Sequence, residues 1–416
     1  MRVCGIRLIG EEQMGYIKNN TYGWKIWSWS VCLILIVIVI TSVLTGLWVL
    51  TAIPIGFLFG FFLEKADLCG SSAFSEVLLM KDWKKIWGIW VVIAVSMIIF
   101  TILSTIGLIK LNPKPLLWAS YVIGGLLFGI GIVFAGGCVS GCLFKTGQGN
   151  INSMAGLIGI PLGVAAVEHG RLKGFANYLK RFLIQNGDGG PVTISSMTGL
   201  PFELLAIIFG ILTLLGAWTL KKRSSNKLPL KRDNKITFMQ RWLTRPWRPW
   251  QAGIAIGILA GLAYMSSAAS GRNYPLGVTH GVLHAELLLT DSQLEYIYKP
   301  SLPSDTNVSN NAAPSKKVSL WLVLEVIALV FGSFISAKLS GKIRFLPRPP
   351  DQTVIAFFGG IVLGTGAAIA GGCVVGNIMS GLALMSVGNI IFAATVLLAN
   401  WMTTYFYLMG GKLFDR

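Results

Sequence analysis

The chain is divided into long apolar runs that carry almost no charge. Hydrophobic residues make up 54% of the chain and charged residues 12%, whereas about a quarter of the residues in a soluble domain are charged. Each run has roughly 20 residues, enough for a helix to cross the hydrocarbon core of a bilayer. We predict an all-α polytopic membrane protein with about ten transmembrane helices, at residues 28–46, 48–63, 87–109, 118–136, 153–168, 199–220, 250–268, 318–339, 353–371 and 386–409.

Two glycine-rich segments repeat each other 235 residues apart. Residues 124–143 read GGLLFGIGIVFAGGCVSGCL and residues 359–378 read GGIVLGTGAAIAGGCVVGNI, with ten of the twenty positions identical. Each segment leads from a predicted span to one cysteine, Cys138 or Cys373. Five predicted crossings separate the two segments, so they run in opposite directions. This predicts inverted-topology repeats, which in membrane transporters place the central site near the midplane where the halves meet.

Basic residues concentrate on one side of this predicted topology. With the N-terminus in the cytoplasm, the inside segments hold 25 of the 35 Lys and Arg residues and the outside loops hold 10. The positive-inside rule therefore places both termini in the cytoplasm. The same bias explains the net charge of +18 without nucleic acid, for which we find no aromatic–basic motif.

The spans and loop charges divide the chain into six parts. They are a cytoplasmic leader at 1–27, an additional helix at 28–46, a first half at 48–220, a basic cytoplasmic linker at 221–249, a second half at 250–409 and a cytoplasmic tail at 410–416.

Four short segments follow predicted spans and cannot cross the bilayer and return as helix pairs. We expect short re-entrant half-helices at residues 68–80, 137–150, 276–289 and 372–381. Non-helical backbone at membrane depth is tolerated only where it is buried in protein or lines a wet cavity. These segments therefore predict the position of a central site.

Three cysteines are the main candidates for lining such a site. Cys138 and Cys373 occupy equivalent positions in the repeat, and Cys69 follows the span at 48–63 beside small polar residues. A buried cysteine is also a common small core residue, but the duplication favours a ligand-facing role. Gly277 is the counterpart of Cys69 in the second half, so the fourth equivalent position lacks a thiol.

Four further residues are weaker candidates for lining the path or attracting an anion. Lys145 follows the first repeat and Arg272 lies at the mirrored entrance, although interfacial snorkelling explains such side chains equally well. Cys142 lies one turn after Cys138, and Asn377 takes its place in the other repeat, where helix packing is the alternative role.

The sequence favours neither a metal site nor an enzyme. The cysteines form no CxxC pair, and His280 and His284, one turn apart, have no visible third ligand. Glu168, Glu203, Glu286 and Glu325 lie toward the ends of predicted spans, which argues against a carboxylate proton relay. We expect no metal and no cofactor.

At these motifs the chain resembles the YeeE/YedE family of bacterial membrane proteins. The early cysteine motif of the family is similar to DLCGSSAF around Cys69, and its glycine-rich run ending in AGGCxxG occurs at Cys138 and Cys373. Its GRxxxLGxT stretch appears as GRNYPLGVT from Gly271 and includes Arg272. The resemblance covers about residues 50–409 and implies nine spans with inverted halves, which makes 28–46 an added helix.

The resemblance implies uptake of thiosulfate across the bacterial inner membrane, past a line of cysteines. A neutral S–H group can donate a weak hydrogen bond to the soft sulfur of this anion, and weak serial contacts permit both entry and release. The family also implies a small TusA-like sulfur-carrier protein as a cytoplasmic partner. Transport of a selenium compound or another sulfur compound stays open, as does a membrane thiol redox enzyme that uses Cys138 and Cys142.

Overall fold

The computed structural model describes residues 23–187, 189–223, 242–290, 294–297, 316–343, 345 and 349–410. Its α-helices in chain order are α1 Gly23–Thr45, α2 Ala52–Ala66, α3 Gly70–Met80, α4 Lys84–Thr105, α5 Trp118–Phe134, α6 Val139–Gly147, α7 Ile151–Glu168, α8 Lys173–Lys180, α9 Ile194–Thr198, α10 Phe202–Arg223, α11 Pro249–Ala269, α12 Thr279–Thr290, α13 Leu320–Leu339, α14 Pro350–Ile369 and α15 Val387–Thr403. A 3₁₀ helix spans Trp48–Thr51, and π-helices span Val374–Gly381 and Thr404–Leu408.

Two small strand pairs accompany the helices. Strands β1 Leu116–Leu117 and β2 Leu183–Ile184 pair antiparallel, and β3 Leu294–Ile297 and β4 Lys316–Ser319 pair parallel. β1 leads directly into α5 and β4 directly into α13, so both pairs fix the entry of a long helix.

Eight stretches of the described chain are long and apolar enough to cross a membrane, which confirms a polytopic all-α membrane protein. They are Trp48–Met80, Lys84–Thr105, Trp118–Gly147, Ile151–Glu168, Pro249–Ala269, Leu320–Leu339, Pro350–Ile369 and Val387–Leu408. The other two predicted spans, 28–46 and 199–220, coincide with α1 and α10. Their apolar stretches, Trp29–Thr45 and Phe202–Gly216, are shorter than the eight.

Several predicted segments fall largely outside the described residues. The leader at 1–27 is described only from residue 23, and the linker at 221–249 lacks 224–241. The tail at 410–416 is described only at residue 410, and most of the loop at 291–317 also lies outside the described part of the chain.

Glycines let the long helices approach each other at backbone distance. A side chain at Gly60 of α2 would strike the carbonyl of Leu329 on α13, and one at Gly332 of α13 would strike the carbonyl of Phe57. Small residues of this kind are typical of interfaces between membrane helices, where close packing replaces the hydrophobic effect. The glycine content of the spans therefore fixes which helices become neighbours.

Helices of the first half pack against helices of the second half in matching pairs. Helix α2 packs on α13 as α4 packs on α11, and α7 packs on α14 as α5 packs on α15. An intramolecular two-fold relation between the halves would produce this pattern of contacts. The pairing supports the repeat, and its inverted sense in the membrane stays a prediction.

Short helices form at all four places where the sequence predicts half-helices. They are α3, α6, α12 and the π-helix Val374–Gly381, called the half-helices below. Each follows a long helix after a break of three to nine residues, and α6 contacts both α2 and the π-helix. This contact places α6 and the π-helix, whose residues are mostly buried, side by side inside the bundle.

Candidate functional site

The repeated AGGC sequence is a helix-to-helix corner. After α5 and α14, Gly136 and Gly371 adopt φ values of +69° and +65°, a left-handed conformation that glycine adopts without steric cost. Cys138 and Cys373 follow in extended backbone and form the N-caps of the next half-helices. Each cysteine therefore lies where the first amides of a helix are unpaired and the helix dipole favours negative charge.

Cys69 occupies the same kind of position. Asp67, the C-cap of α2, has φ +47°, and Cys69 in extended backbone is the N-cap of α3. The fourth half-helix, α12, begins at Thr279 just after Gly277 and Val278. Three of the four half-helices thus begin at a thiol, in agreement with the asymmetry expected at Gly277.

The structure brings two of the three predicted cysteines into contact. The sulfur atoms of Cys69 and Cys138 lie 3.8 Å apart, and the Ser140 hydroxyl oxygen lies 3.3 Å from the Cys138 sulfur. A side chain at Gly141 would collide with the Cys69 sulfur. All three cysteines are free thiols and fully buried.

Cys373 lies beside this pair through its own half-helix. A Cβ atom at Gly70, the first residue of α3, would lie 2.7 Å from the side chain of Val374. The start of α3, which carries Cys69, therefore touches the start of the π-helix, which carries Cys373. Cys69, Cys138 and Cys373 belong to one cluster of half-helix starts.

Cys142 and Asn377 perform matching structural tasks. The Cys142 thiol faces the carbonyl oxygens of Ala135 at 3.8 Å and Gly137 at 3.6 Å. The Asn377 amide donates to the carbonyls of Ala370 at 3.2 Å and Gly372 at 3.1 Å, which are the equivalent residues 235 positions later. Both side chains brace the corner behind the cysteine, an arrangement that favours the packing role for each.

Two lysines also occupy matching positions at the corners. The Lys145 ammonium donates to the Gly136 carbonyl at 2.6 Å. At the second corner, Lys114 donates to the Gly371 carbonyl at 2.5 Å and to the Asn377 side-chain oxygen at 2.7 Å. Lysine thus binds the carbonyl of the corner glycine just beyond both long helices, close to the helix C-terminus where the dipole favours a cation.

Sequence reasoning missed Lys114 as a site residue. It lies in the loop before α5, whereas Lys145 lies on the half-helix after its corner, so the two are not repeat equivalents. The residue 235 positions after Lys114 is Pro349. Only the three-dimensional arrangement reveals that the two lysines share a role.

Arg272 lies close to Lys114 at the second corner. Its guanidinium donates to the carbonyls of Tyr274 at 3.1 Å and Pro275 at 2.7 Å, and lies 5.6 Å from the ring centres of both Tyr274 and Trp321. The Tyr274 hydroxyl donates to the Gly376 carbonyl at 2.6 Å. Arg272 is therefore held by carbonyls of its own loop and by two aromatic rings, and it does not extend toward the lipid surface.

These residues enclose a cavity of about 210 Å³. It is lined by Lys114, Arg272, Tyr274, Gly277, Thr279, His280, Gly371, Gly372 and Gly376. Two cations and the starts of two half-helices, α12 and the π-helix, give the cavity a positive field. Gly372 and Gly376 flank Cys373 along the chain, so the cavity lies next to that corner.

Lys114 is poised between its charged and neutral forms. Burial, reinforced by the nearby Arg272 charge, lowers the pKa of Lys114 to about 7. An anion in the cavity would favour the charged form. The cavity can therefore respond to both charge and pH near neutrality.

The histidines do not form a metal site in the described part of the chain. His280 pairs with Glu168 at 3.2 Å, and the His284 ring nitrogen accepts a hydrogen bond from the Ser319 amide at 3.3 Å. Among the described residues, no group of three or more His, Cys, Asp or Glu side chains could hold a metal ion.

Known proteins resemble this chain over most of its length. The profile of the sulphur transport family matches residues 65–402. A protein named thiosulfate transporter TsuA from Spirochaeta thermophila is 29% identical over 371 residues, covering 87% of this chain and 96% of the relative. The protein of the same name from Escherichia coli is 25% identical over 358 residues, covering 85% and 94%.

A shorter match is found with a protein named probable transporter YedE from Escherichia coli. It is 36% identical over 97 residues, which is 23% of each chain. Together with the profile match, these relatives agree with the family that the cysteine motifs resemble. The chain belongs to the sulphur transport family, the YeeE/YedE family.

Proposed function

We propose that this protein takes up thiosulfate through a path that passes Cys373, Cys138 and Cys69. The observation that carries the proposal is the cluster of three buried thiols, each at the start of a half-helix. The two relatives named thiosulfate transporters, which match nearly the whole chain, support the choice of substrate.

The chemistry of the cluster suits an anion with two different ends. Thiosulfate carries charge on its oxygens and has a soft terminal sulfur. Half-helix amides and the cavity cations can hold the oxygens, while neutral thiols offer weak S–H hydrogen bonds to the sulfur. Contacts of this strength hold the anion briefly at each step and let it leave again.

The cavity beside Cys373 is the proposed outer binding site. Its volume of about 210 Å³ corresponds to roughly seven water molecules, room for the anion with part of its hydration shell. Lys114 and Arg272 supply charge there, and Lys145 stands at the corner of the other half. We propose that the anion moves from the cavity past Cys373 to the contacting pair Cys138 and Cys69.

The setting in the cell is part of the proposal. We propose a bacterial inner membrane location with both termini in the cytoplasm, on the strength of the loop charges. A small TusA-like sulfur-carrier protein that receives the sulfur in the cytoplasm stays a prediction.

Growth with thiosulfate as the sole sulfur source tests the proposal. In a host that lacks its own thiosulfate uptake, Cys69→Ala, Cys138→Ala and Cys373→Ala should each abolish growth. Cys32→Ala is the matched control, since Cys32 is an exposed cysteine on α1. Normal growth of all three site variants would contradict the path.

Two alternatives to thiosulfate transport can be distinguished from it, one by a competition experiment and one by the position of a thiol. If the cargo is a selenium or other sulfur compound, that compound should compete with labelled thiosulfate more strongly than thiosulfate competes with itself. A thiol redox enzyme that uses Cys138 and Cys142 needs those thiols to meet. The Cys142 thiol instead faces two carbonyl oxygens, which favours transport over that alternative.

A further inference from the structure

Helix α13 carries one buried carboxyl group that the proposed path does not use. Glu325 is fully buried, no described side chain hydrogen-bonds to its oxygens, and the Gly277 backbone amide lies near them. The sequence places it toward the end of a span, but the structure removes it from water. Burial disfavours the ionised carboxylate, so ionisation of Glu325 depends on the nearby Gly277 amide and on a neighbouring cation.

Helices α2 and α12 enclose this residue from two sides. A side chain at Gly56 of α2 would strike the Glu325 carbonyl. On α12, a Cβ atom at Gly281 would lie 2.6 Å from the Leu322 carbonyl and 2.5 Å from the Val326 side chain. Close packing at residues 322, 325 and 326 holds Glu325 between the two helices.

The charged group that acts on Glu325 is a cavity residue. Trp321 lies one turn before Glu325 and therefore on the same face of α13, and the Arg272 guanidinium lies 5.6 Å from the Trp321 ring centre. Arg272 acts electrostatically on the Glu325 carboxyl and also lines the cavity. One cation is therefore shared between the cavity and the buried acid.

We propose that Glu325 is a proton-binding site coupled to anion binding in the cavity. Ionised Glu325 and a bound anion compete for Arg272, so the anion binds best when Glu325 holds a proton. Binding at neutral or higher pH then draws a proton from water onto the carboxylate. This inference rests on the proposed function and extends it to proton-coupled uptake of the anion.

Other titratable groups near α13 have partners of their own. These groups lie on α13 or on elements packed against it, and each contacts another residue. The pairs are Glu64 with Lys342, Lys65 with Ser340, Lys145 with Gly136, His280 with Glu168, and His284 with Ser319. Glu286 and Lys338 also interact with other groups. Lys114 needs separate treatment because it lines the cavity and titrates near pH 7. It could also take up a proton when an anion binds.

Proton uptake during thiosulfate binding tests the proposal. Purified full-length protein is mixed with thiosulfate in weak buffer, and a pH indicator counts the protons while calorimetry counts the bound anion. At pH 8, wild type should take up more protons per bound anion than Glu325→Gln does, by as much as one. Glu325→Gln, which mimics the neutral acid, should bind thiosulfate without the Glu325 proton, whereas Glu325→Asp should retain it.

Three controls separate Glu325 from other carriers. Lys114→Arg stays charged at every pH tested, so it removes the proton taken up by Lys114 and should keep the proton taken up by Glu325. Glu168→Gln should also keep it, as should Glu203→Gln, which changes an exposed residue on α10. Loss of uptake in Lys114→Arg or Glu168→Gln with normal uptake in Glu325→Gln would overturn the assignment.

The remaining outcomes are also decisive. Thiosulfate binding by wild type without any proton uptake overturns the coupling and leaves the proposed function intact. A Glu325→Gln protein that is folded but no longer binds thiosulfate contradicts the competition for Arg272, because the neutral form should bind. If wild type binds no thiosulfate at all, the proposed function itself fails.

Discussion

Lys114 gives the sharpest prediction about how the cavity holds its anion. Lys114→Met removes the cation, and the charged hydrogen bond it offers an anion is worth about 1.5–3 kcal/mol, or roughly 10- to 150-fold in affinity. Because the pKa of Lys114 is lowered to about 7, wild type has this advantage in full below pH 7. Above pH 7, binding must first supply the proton, so the advantage should shrink by up to tenfold for each pH unit.

The assay is thiosulfate affinity by calorimetry for wild type and Lys114→Met at pH 6, 7, 8 and 9. The ratio of the two affinities isolates Lys114, because any proton taken up by Glu325 affects both proteins. Lys114→Arg keeps its charge and should hold its advantage over Lys114→Met across the whole range. The reasoning is refuted if Lys114→Met binds as tightly as wild type at pH 6, or if the ratio does not change with pH.

Three further predictions concern packing around the path. Gly141→Ala should abolish uptake in a folded protein, because the added Cβ collides with the Cys69 sulfur. Normal uptake would contradict the tight packing of the cysteine cluster. Gly174→Ala is the control, because its Cβ meets no neighbour. Cys142→Ala should lower the melting temperature but keep the uptake rate per folded molecule, because its thiol braces a corner; lost uptake at unchanged stability would instead place Cys142 in the path. Gly60→Ala should destabilise the protein by about 1–3 kcal/mol in reversible unfolding, since its methyl group meets the α13 backbone; unchanged stability would contradict the close approach of α2 and α13.

The sequence was most informative where a local pattern determines local structure. Apolar runs predicted the long helices because every backbone group in a bilayer needs an internal partner. The AGGC pattern predicted the breaks before two of the half-helices, α6 and the π-helix, and both Gly136 and Gly371 adopt the left-handed conformation that such a corner requires. The apolar stretches on α1 and α10 are shorter than the other eight, so the length of an apolar run is a weaker guide to a membrane span there.

The site was harder to predict because its contacts join distant parts of the chain. Cys69 and Cys138 touch although 69 residues separate them, and no local pattern encodes that meeting. The sequence shows that residue 142 is a cysteine but not where its thiol points, so Cys142 was a candidate for the path. In the structure its thiol faces the preceding corner. Lys114 had no repeat equivalent to identify it, and Glu325 seemed to lie near a span end although it is fully buried.

The central claim is that thiosulfate passes the three buried thiols. The most direct measurement is the initial rate of labelled thiosulfate uptake into vesicles that contain the purified protein. We predict that Cys69→Ala, Cys138→Ala and Cys373→Ala each reduce this rate to the level of protein-free vesicles, while Cys32→Ala transports as wild type does. Wild-type rates in all three site variants, at equal protein content, would contradict the account.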